Sequence, residues 1–291
     1  MEKVKKAIVT GASRGVGRGI AFALAEAGYD LVVSYSKKYD FGDKYVMEMA
    51  EEMEKRYGRT CHYIDADFYL KDTAEQFIKE AVKKLGGLDL LVNNGMKPVL
   101  GGSILDIDGD VLDNMMNSYI RSTFLMMRFA CRYMVKNKIA GNVINITSGR
   151  ADRALPGGGI YGGLKAAIQH ASRSFALDVA PYGIRVNCVA PGYIKVRTRE
   201  EYREEGWTEK AIDDMIRLEG MVPLGRPGKP EEIGNAVAWL ASEKAAYITG
   251  TVLTVDGALF LPGMPEDTPT DGAEYRGWTY FKPRETDDWN V

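Results

Sequence analysis

The 291-residue chain predicts an α/β fold built on a single doubly wound parallel sheet, about seven strands with helices on both faces. Three features carry that expectation. Short apolar runs alternate with longer stretches of helical period along most of the chain. Several runs are apolar on both alternations, as strands covered on both faces are. A glycine-rich turn directly follows the first run and opens the first helical stretch.

In chain order, strands are expected at residues 4–9, 31–34, 61–64, 88–92, 142–146, 185–189 and 252–255. Helices at 17–27, 44–57, 73–85, 110–135, 161–180 and 230–241 join them. The fourth helix carries an apolar stripe through Val111, Met115, Tyr119, Ile120, Phe124 and Met127, so its methionines read as core. Residues 193–228 interrupt the repeat. They are charged and helix-prone with scattered Tyr202, Trp207 and Met221, and a structureless loop of that length is unusual, so a small helical lid is expected. Residues 259–291 form a C-terminal extension beyond a 1–258 domain. The extension is acidic, yet Tyr275, Trp278, Tyr280, Phe281 and Trp289 suit docking on the body or on a neighbouring subunit better than full solvation.

Bulk properties exclude several function classes. Net charge is −2 and no basic stripe is present, which argues against nucleic acid. No run of about 18 apolar residues suggests a membrane span. The amino terminus runs straight into the first strand without a signal peptide's apolar region. Cys61, Cys131 and Cys188 lie far apart and only two histidines occur, which argues against a metal site and for a reducing compartment. A soluble cytoplasmic protein is expected.

The chemistry begins at Tyr161 and Lys165. Of the 16 tyrosines, only Tyr161 has a lysine four residues on. On a helix these two share a face, so an ammonium can sit beside a phenol and favour its ionised form. Such a pair also arises by chance and gains weight only if a site assembles around it. The first strand-helix turn, Thr10-Gly11-Ala12-Ser13-Arg14-Gly15-Val16-Gly17, supplies one part. Its glycines let the backbone approach a pyrophosphate, and the helix amino terminus offers free N–H donors.

The Gly-x-x-x-Gly-x-Gly spacing with Tyr-x-x-x-Lys downstream resembles the short-chain dehydrogenase/reductase family. The resemblance runs over residues 4–258 and implies a Rossmann-like NAD(P)-binding catalytic domain. Ser148 stands thirteen residues before Tyr161, the family spacing for a catalytic serine. Asp67-Phe68 matches the segment that holds the adenine, and Asn93-Asn94-Gly95 matches the family's Asn-Asn-Ala-Gly, with Met96 in place of the final glycine. Pro191-Gly192-Tyr193-Ile194 matches the segment that carries the nicotinamide. The resemblance therefore implies Ser148, Tyr161 and Lys165 as catalytic. It implies Gly11, Ser13, Arg14, Gly15, Val16, Gly17, Tyr35, Ser36, Lys37, Asp67, Phe68, Asn94, Gly95, Tyr161, Lys165, Pro191, Gly192 and Ile194 as cofactor contacts. Met96, Tyr119, Arg150, Tyr193 and Trp207 are expected at the substrate pocket, and no metal is expected.

In the implied reaction Tyr161 exchanges the proton of the alcohol, Lys165 lowers the phenol's pKa and bonds the nicotinamide ribose, and Ser148 polarises the substrate oxygen. Two departures matter. Tyr119 stands where the family places an asparagine whose carbonyl helps a water chain reach the lysine. Val196 stands where a threonine usually bonds the nicotinamide amide, and Thr198 could substitute only if the loop shifts. Tyr35 occupies the register where NAD-preferring relatives carry an acid, and Arg14 and Lys37 could face a 2′-phosphate. NADP(H) is favoured over NAD(H), although both cations read equally well as solvated charges.

The substrate expectation is a bulky apolar secondary alcohol or ketone such as a hydroxysteroid, with a 3-oxoacyl-thioester reductase as the alternative. A non-catalytic cofactor-binding regulatory protein is the reading from another class. Partners are a small-molecule substrate and, by resemblance, further copies of the chain in a dimer or tetramer.

Overall fold

The computed structural model describes residues 4–38, 43–95, 104–204 and 206–261. Among the described residues seven strands form one sheet in the order β3-β2-β1-β4-β5-β6-β7. They are β1 (Lys5–Val9), β2 (Tyr29–Tyr35), β3 (Cys61–Asp65), β4 (Leu90–Asn93), β5 (Asn142–Ile146), β6 (Arg185–Pro191) and β7 (Val252–Val255). Every pairing is parallel. The strand order reverses between β1 and β4, and in such sheets the crevice beyond the carboxyl ends at that point is where ligands bind.

Strand alternation divides the core. Ala7, Val9, Leu31, Val33, Leu90, Val92 and Ile144 point to one face, against α1 (Gly15–Glu26), α2 (Lys44–Tyr57) and α9 (Pro230–Ala241). Ile8, Val32, Leu91, Val143 and Val186 point to the other, against α3 (Thr73–Leu85), α5 (Ser122–Lys136) and α6 (Gly159–Val179). Gly58 and Gly86, both left-handed, end α2 and α3 where expected. Gly19 has a distinct use: a Cβ there would lie 2.4 Å from the carbonyl of Pro230, so its absence lets α1 and α9 touch backbone to backbone.

The helix expected at 110–135 is broken into three. α4 (Gly109–Met115) gives way to a π-helical turn over Met116–Arg121, and α5 continues from Ser122. The Ser118 hydroxyl donates back to the carbonyls of Asn114 (3.0 Å) and Met115 (3.4 Å), competing with the regular backbone ladder where the register widens. Residues 193–228 contain α7 (Arg199–Glu204), α8 (Glu209–Arg217) and a 3-10 turn at Leu218–Met221. Arg199 and Arg203 both bind Glu209, at 2.7 and 2.6 Å, and Arg199 also reaches Asp213 at 2.7 Å, so charge pairs lace α7 to α8. Met96 and the aromatic residues expected to dock from the extension lie outside the described residues.

Candidate active site

Most of the expected site residues lie at or just beyond the carboxyl ends of β1 to β6, with Tyr161 and Lys165 on α6. After β1, the turn is closed by backbone proximity. A Cβ on Gly11 would lie 2.4 Å from Gly95 Cα, and one on Gly17 would lie 2.1 Å from the Gly11 carbonyl oxygen. Gly11 (φ +64) and Gly15 (φ +57) also need the left-handed region. Asn94 ties the turn to β4: its Nδ2 donates to the carbonyls of Thr10 (3.0 Å) and Gly11 (2.9 Å), while the Thr10 hydroxyl accepts from the backbone N–H of Asn94 and Gly95. Arg14, at the start of α1, makes no side-chain cap. An uncapped amino terminus behind a floor of glycines fits a dinucleotide pyrophosphate, with Ser13 and Val16 flanking it.

At the end of β2 the structure adds a group that sequence reasoning missed. Tyr35 is buried and donates its hydroxyl to Asp43 Oδ1 at 2.9 Å, and Lys37 Nζ lies 3.2 Å from Asp43 Oδ2. Lys37, expected to face a phosphate, is thus paired with a carboxylate. Lys38 similarly approaches Asp67 at 3.8 Å, and Asp67 accepts from the Tyr69 N–H. Phe68 packs its ring edge-on to Phe77 of α3, 5.6 Å between centroids.

Beyond β5 and on α6 lie the three expected catalytic groups. Ser148, 8% exposed, accepts from the Arg150 N–H at 3.2 Å and is hydrogen-bonded to the Tyr161 hydroxyl. Lys165 is 4% exposed, and its Nζ donates to the Ile146 carbonyl at 2.8 Å. The expected electrostatics need correcting. Burial raises the Tyr161 pKa, and what opposes it is the Ser148 hydrogen bond and the Arg150 charge rather than Lys165. Lys165 is itself pushed down to about 7 by burial, which the nearby Cys188 thiol partly offsets. Tyr119 also departs from its expected place on the substrate wall. It is fully buried beneath the pair, edge-to-face with Tyr161 at 5.9 Å.

The loop after β6 is braced from two sides. A Cβ on Gly192 would lie 2.5 Å from Asp256 Cα, and the Gly192 N–H donates to the Val255 carbonyl. Ile194 forms an isolated bridge with Gly228. Val196 lies against Gly15 of the glycine turn, 3.4 Å from where a Cβ would stand. Thr198 does not take up the missing threonine's place, because its hydroxyl accepts from the Glu201 N–H and so caps α7. Tyr193 is half-buried and its phenol is pushed up to about 12, while Trp207 packs against Tyr202 with centroids 5.0 Å apart and the rings tilted by 57°.

A further wall comes from the end of the described chain. Phe260 lies where a Cβ on Gly149, the residue after Ser148, would be 2.0 Å from its ring. Arg153 fixes it by donating to the carbonyls of Phe260 and Leu261, both at 3.0 Å, and Asp256 accepts from the Phe260 N–H at 2.8 Å. No local pattern signals a contact between residues so far apart in sequence.

A family model described as enoyl-(acyl carrier protein) reductase matches residues 11–259. The chain belongs to the short-chain dehydrogenase/reductase family. It is an oxidoreductase of a family that binds NAD(P). The chain is 33% identical over 263 residues to 3-oxoacyl-[acyl-carrier-protein] reductase FabG of Staphylococcus aureus, covering 90% of this chain and all of the relative. It is 31% identical to glucose 1-dehydrogenase 2 of Bacillus subtilis, covering 88% of this chain and 95% of that one. Among solved structures it is similar to acetoin dehydrogenase from Enterobacter cloacae, with a TM-score of 0.79 at 31% identity over 92% of this chain and 100% of that one. A metagenomic blue fluorescent protein in complex with NADPH gives a TM-score of 0.75 at 30% identity, over 88% and 97% of the two chains. Among the described residues, no helix is long and apolar enough to cross a membrane, and no cluster of three or more His, Cys, Asp or Glu side chains could hold a metal.

Proposed function

We propose that this chain interconverts a secondary alcohol and a ketone, with Ser148, Tyr161 and Lys165 as its catalytic residues. The supporting observation is their convergence: the Ser148 and Tyr161 hydroxyls are hydrogen-bonded, and Lys165 is buried one helical turn below. A bound nicotinamide supplies the hydride. Ser148 orients and polarises the substrate oxygen, a role whose loss costs about 10²–10³ in rate. Tyr161 holds the proton at its phenol oxygen and passes it to the developing alkoxide, or takes it back in oxidation. Lys165 supplies positive charge beneath the phenol. The glycine turn, with Asn94 and Gly95, holds the dinucleotide, and Pro191, Gly192 and Ile194 border its nicotinamide end.

For the cofactor we favour NADP(H). No acid stands in the β2 register taken by Tyr35, Arg14 opens α1, and the NADPH-bound relative shares the architecture. Lys37 is paired with Asp43, and we assign Arg14, at the mouth of the glycine turn, as the cation that meets a 2′-phosphate. For the substrate we favour a 3-oxoacyl thioester over the hydroxysteroid expected from apolar residues alone. The FabG relative acts on such a compound by name, and the Arg150 charge reaches the Tyr161 phenol, which suits an oxygen-rich substrate better than a wholly apolar one. Function in the cytoplasm as a homo-oligomer accompanies this reading.

A panel of acetoacetyl thioester, a 3-oxosteroid, diacetyl and glucose, each tested with both nicotinamides, examines the whole reading. Turnover of the thioester with kcat/KM higher for NADPH is expected. Turnover of the steroid alone reverses the substrate order, and NADH equal to or better than NADPH reverses the cofactor order. Cofactor binding without turnover of any carbonyl compound or alcohol supports the regulatory alternative.

A further inference from the structure

Lys165 presents a physical problem that the catalytic reading leaves open. An ammonium 4% exposed loses most of its hydration, and burial alone drives such a group toward neutrality. Among its neighbours are groups from four elements. β5 offers the Ile146 carbonyl at 2.8 Å, β6 offers the Cys188 thiol, α6 offers the Tyr161 ring, and the π-helical turn offers Tyr119. Ser172 and Arg173 act on Cys188, and Ser148 and Arg150 act on Tyr161, so none of these is a carboxylate.

The two aromatic contacts are the unusual part. Lys165 Nζ lies 5.3 Å from the Tyr119 ring centroid and 5.7 Å from that of Tyr161. Both are within the roughly 6 Å over which a ring face attracts a cation, and the attraction is greatest where water is excluded. The rings themselves meet at 82°, centroids 5.9 Å apart. Tyr119 is fully buried and packs with Met115 and Leu164, while Val111, Ile120 and Ile160 close the cluster around it. We propose that Tyr119 is a positioning residue whose ring, with that of Tyr161, forms an aromatic seat that favours the ammonium form of the buried Lys165 and holds it in place. The widened turn at Met116–Arg121 is what carries Tyr119 to this seat.

The seat's effect on turnover rests on the function proposed above, but the seat is judged by the lysine's own titration. The full chain is labelled with 13Cε-lysine, and Lys165→Met identifies the signal. Tyr119→Phe keeps the ring and should keep the midpoint of the parent chain. Tyr119→Leu should lower the midpoint by about one pH unit, a roughly tenfold loss of proton affinity. Trifluorophenylalanine at 119 preserves shape while draining the ring face, so it separates the seat from any cavity or folding defect in the leucine variant. It should lower the midpoint relative to Tyr119→Phe. An unmoved midpoint with the fluorinated ring overturns the proposal, as does a Phe variant that shifts as far as Leu. In turnover, the kcat pH profile should move with the titration while KM for the cofactor stays constant. A chain that turns over no carbonyl compound yet shows the titration shifts sinks the catalytic reading and leaves the seat standing.

Discussion

Replacing Lys165 with methionine should make the protein more stable at neutral pH while abolishing its proposed catalysis. Burial lowers the lysine from 10.5 to about 7. The unfolded chain keeps the ordinary value, so between these two values it binds a proton that the folded chain gives up. Stability from this group therefore rises with pH through that window, and the penalty is fullest at and below about pH 7. At about 1.4 kcal/mol per pH unit, the gap amounts to about 4–5 kcal/mol. Methionine removes that penalty but leaves the Ile146 carbonyl without its 2.8 Å donor, which costs about 1–3 kcal/mol. The net gain is about 1–4 kcal/mol near pH 7, or a Tm increase of about 2–6 °C for a chain of this size. Urea and thermal unfolding of both chains at about pH 7 and pH 10 would test it, with the gain vanishing or reversing at the higher pH. A methionine variant less stable at pH 7, or a difference that ignores pH, would refute the argument. The lysine would then be well solvated or fully compensated in the folded state.

Three further outcomes follow from the geometry. Ser148→Ala should lower kcat by about 10²–10³ with cofactor affinity unchanged, measured by steady-state kinetics beside fluorescence titration of the nicotinamide. Gly149→Ala should cost about 1–3 kcal/mol because the new Cβ meets the Phe260 ring at 2.0 Å. In the Phe260→Ala background most of that cost should disappear, and strict additivity in the double-mutant cycle would show that the two do not touch. Gly19→Ala should destabilise at least as much, since the Pro230 carbonyl it meets at 2.4 Å is helix backbone and cannot swing away. An unchanged urea midpoint would mean that α1 and α9 part easily.

Much of this architecture is legible because local signals and tertiary demands agree. The boundaries of α2 and α3 coincide with expectation because Gly58 and Gly86 end each helix by a conformation other residues avoid. β5 and β7 also fall where expected, the apolar run of β5 filling core positions and Leu253 and Val255 of β7 packing half-buried against the core. The break at Met116–Arg121 was not legible. The apolar stripe continues through it, and the Ser118 hydroxyl that bonds backward leaves no mark on periodicity. At the site, spacing alone brings Ser148, Tyr161 and Lys165 into one reading, and the structure places them together. Spacing cannot report desolvation, so the expected downward pull of Lys165 on Tyr161 gave way to an upward push from burial. Asp43 was equally hidden, being an ordinary helix-start acid until the fold sets it against Tyr35 and Lys37.

The brace that Phe260 and Asp256 place on the loops after Ser148 and Pro191 sets an order of events during synthesis. A chain made from its amino terminus exposes the glycine turn first and the serine, tyrosine and lysine just past half-way along. The parts that hold those loops in shape arrive only with the last strand and the residues just beyond it. A nascent or prematurely ended chain can therefore carry every reactive side chain and still lack a finished site. Catalytic competence becomes a late property of the chain, and loss of its final stretch should silence it without touching any reactive group.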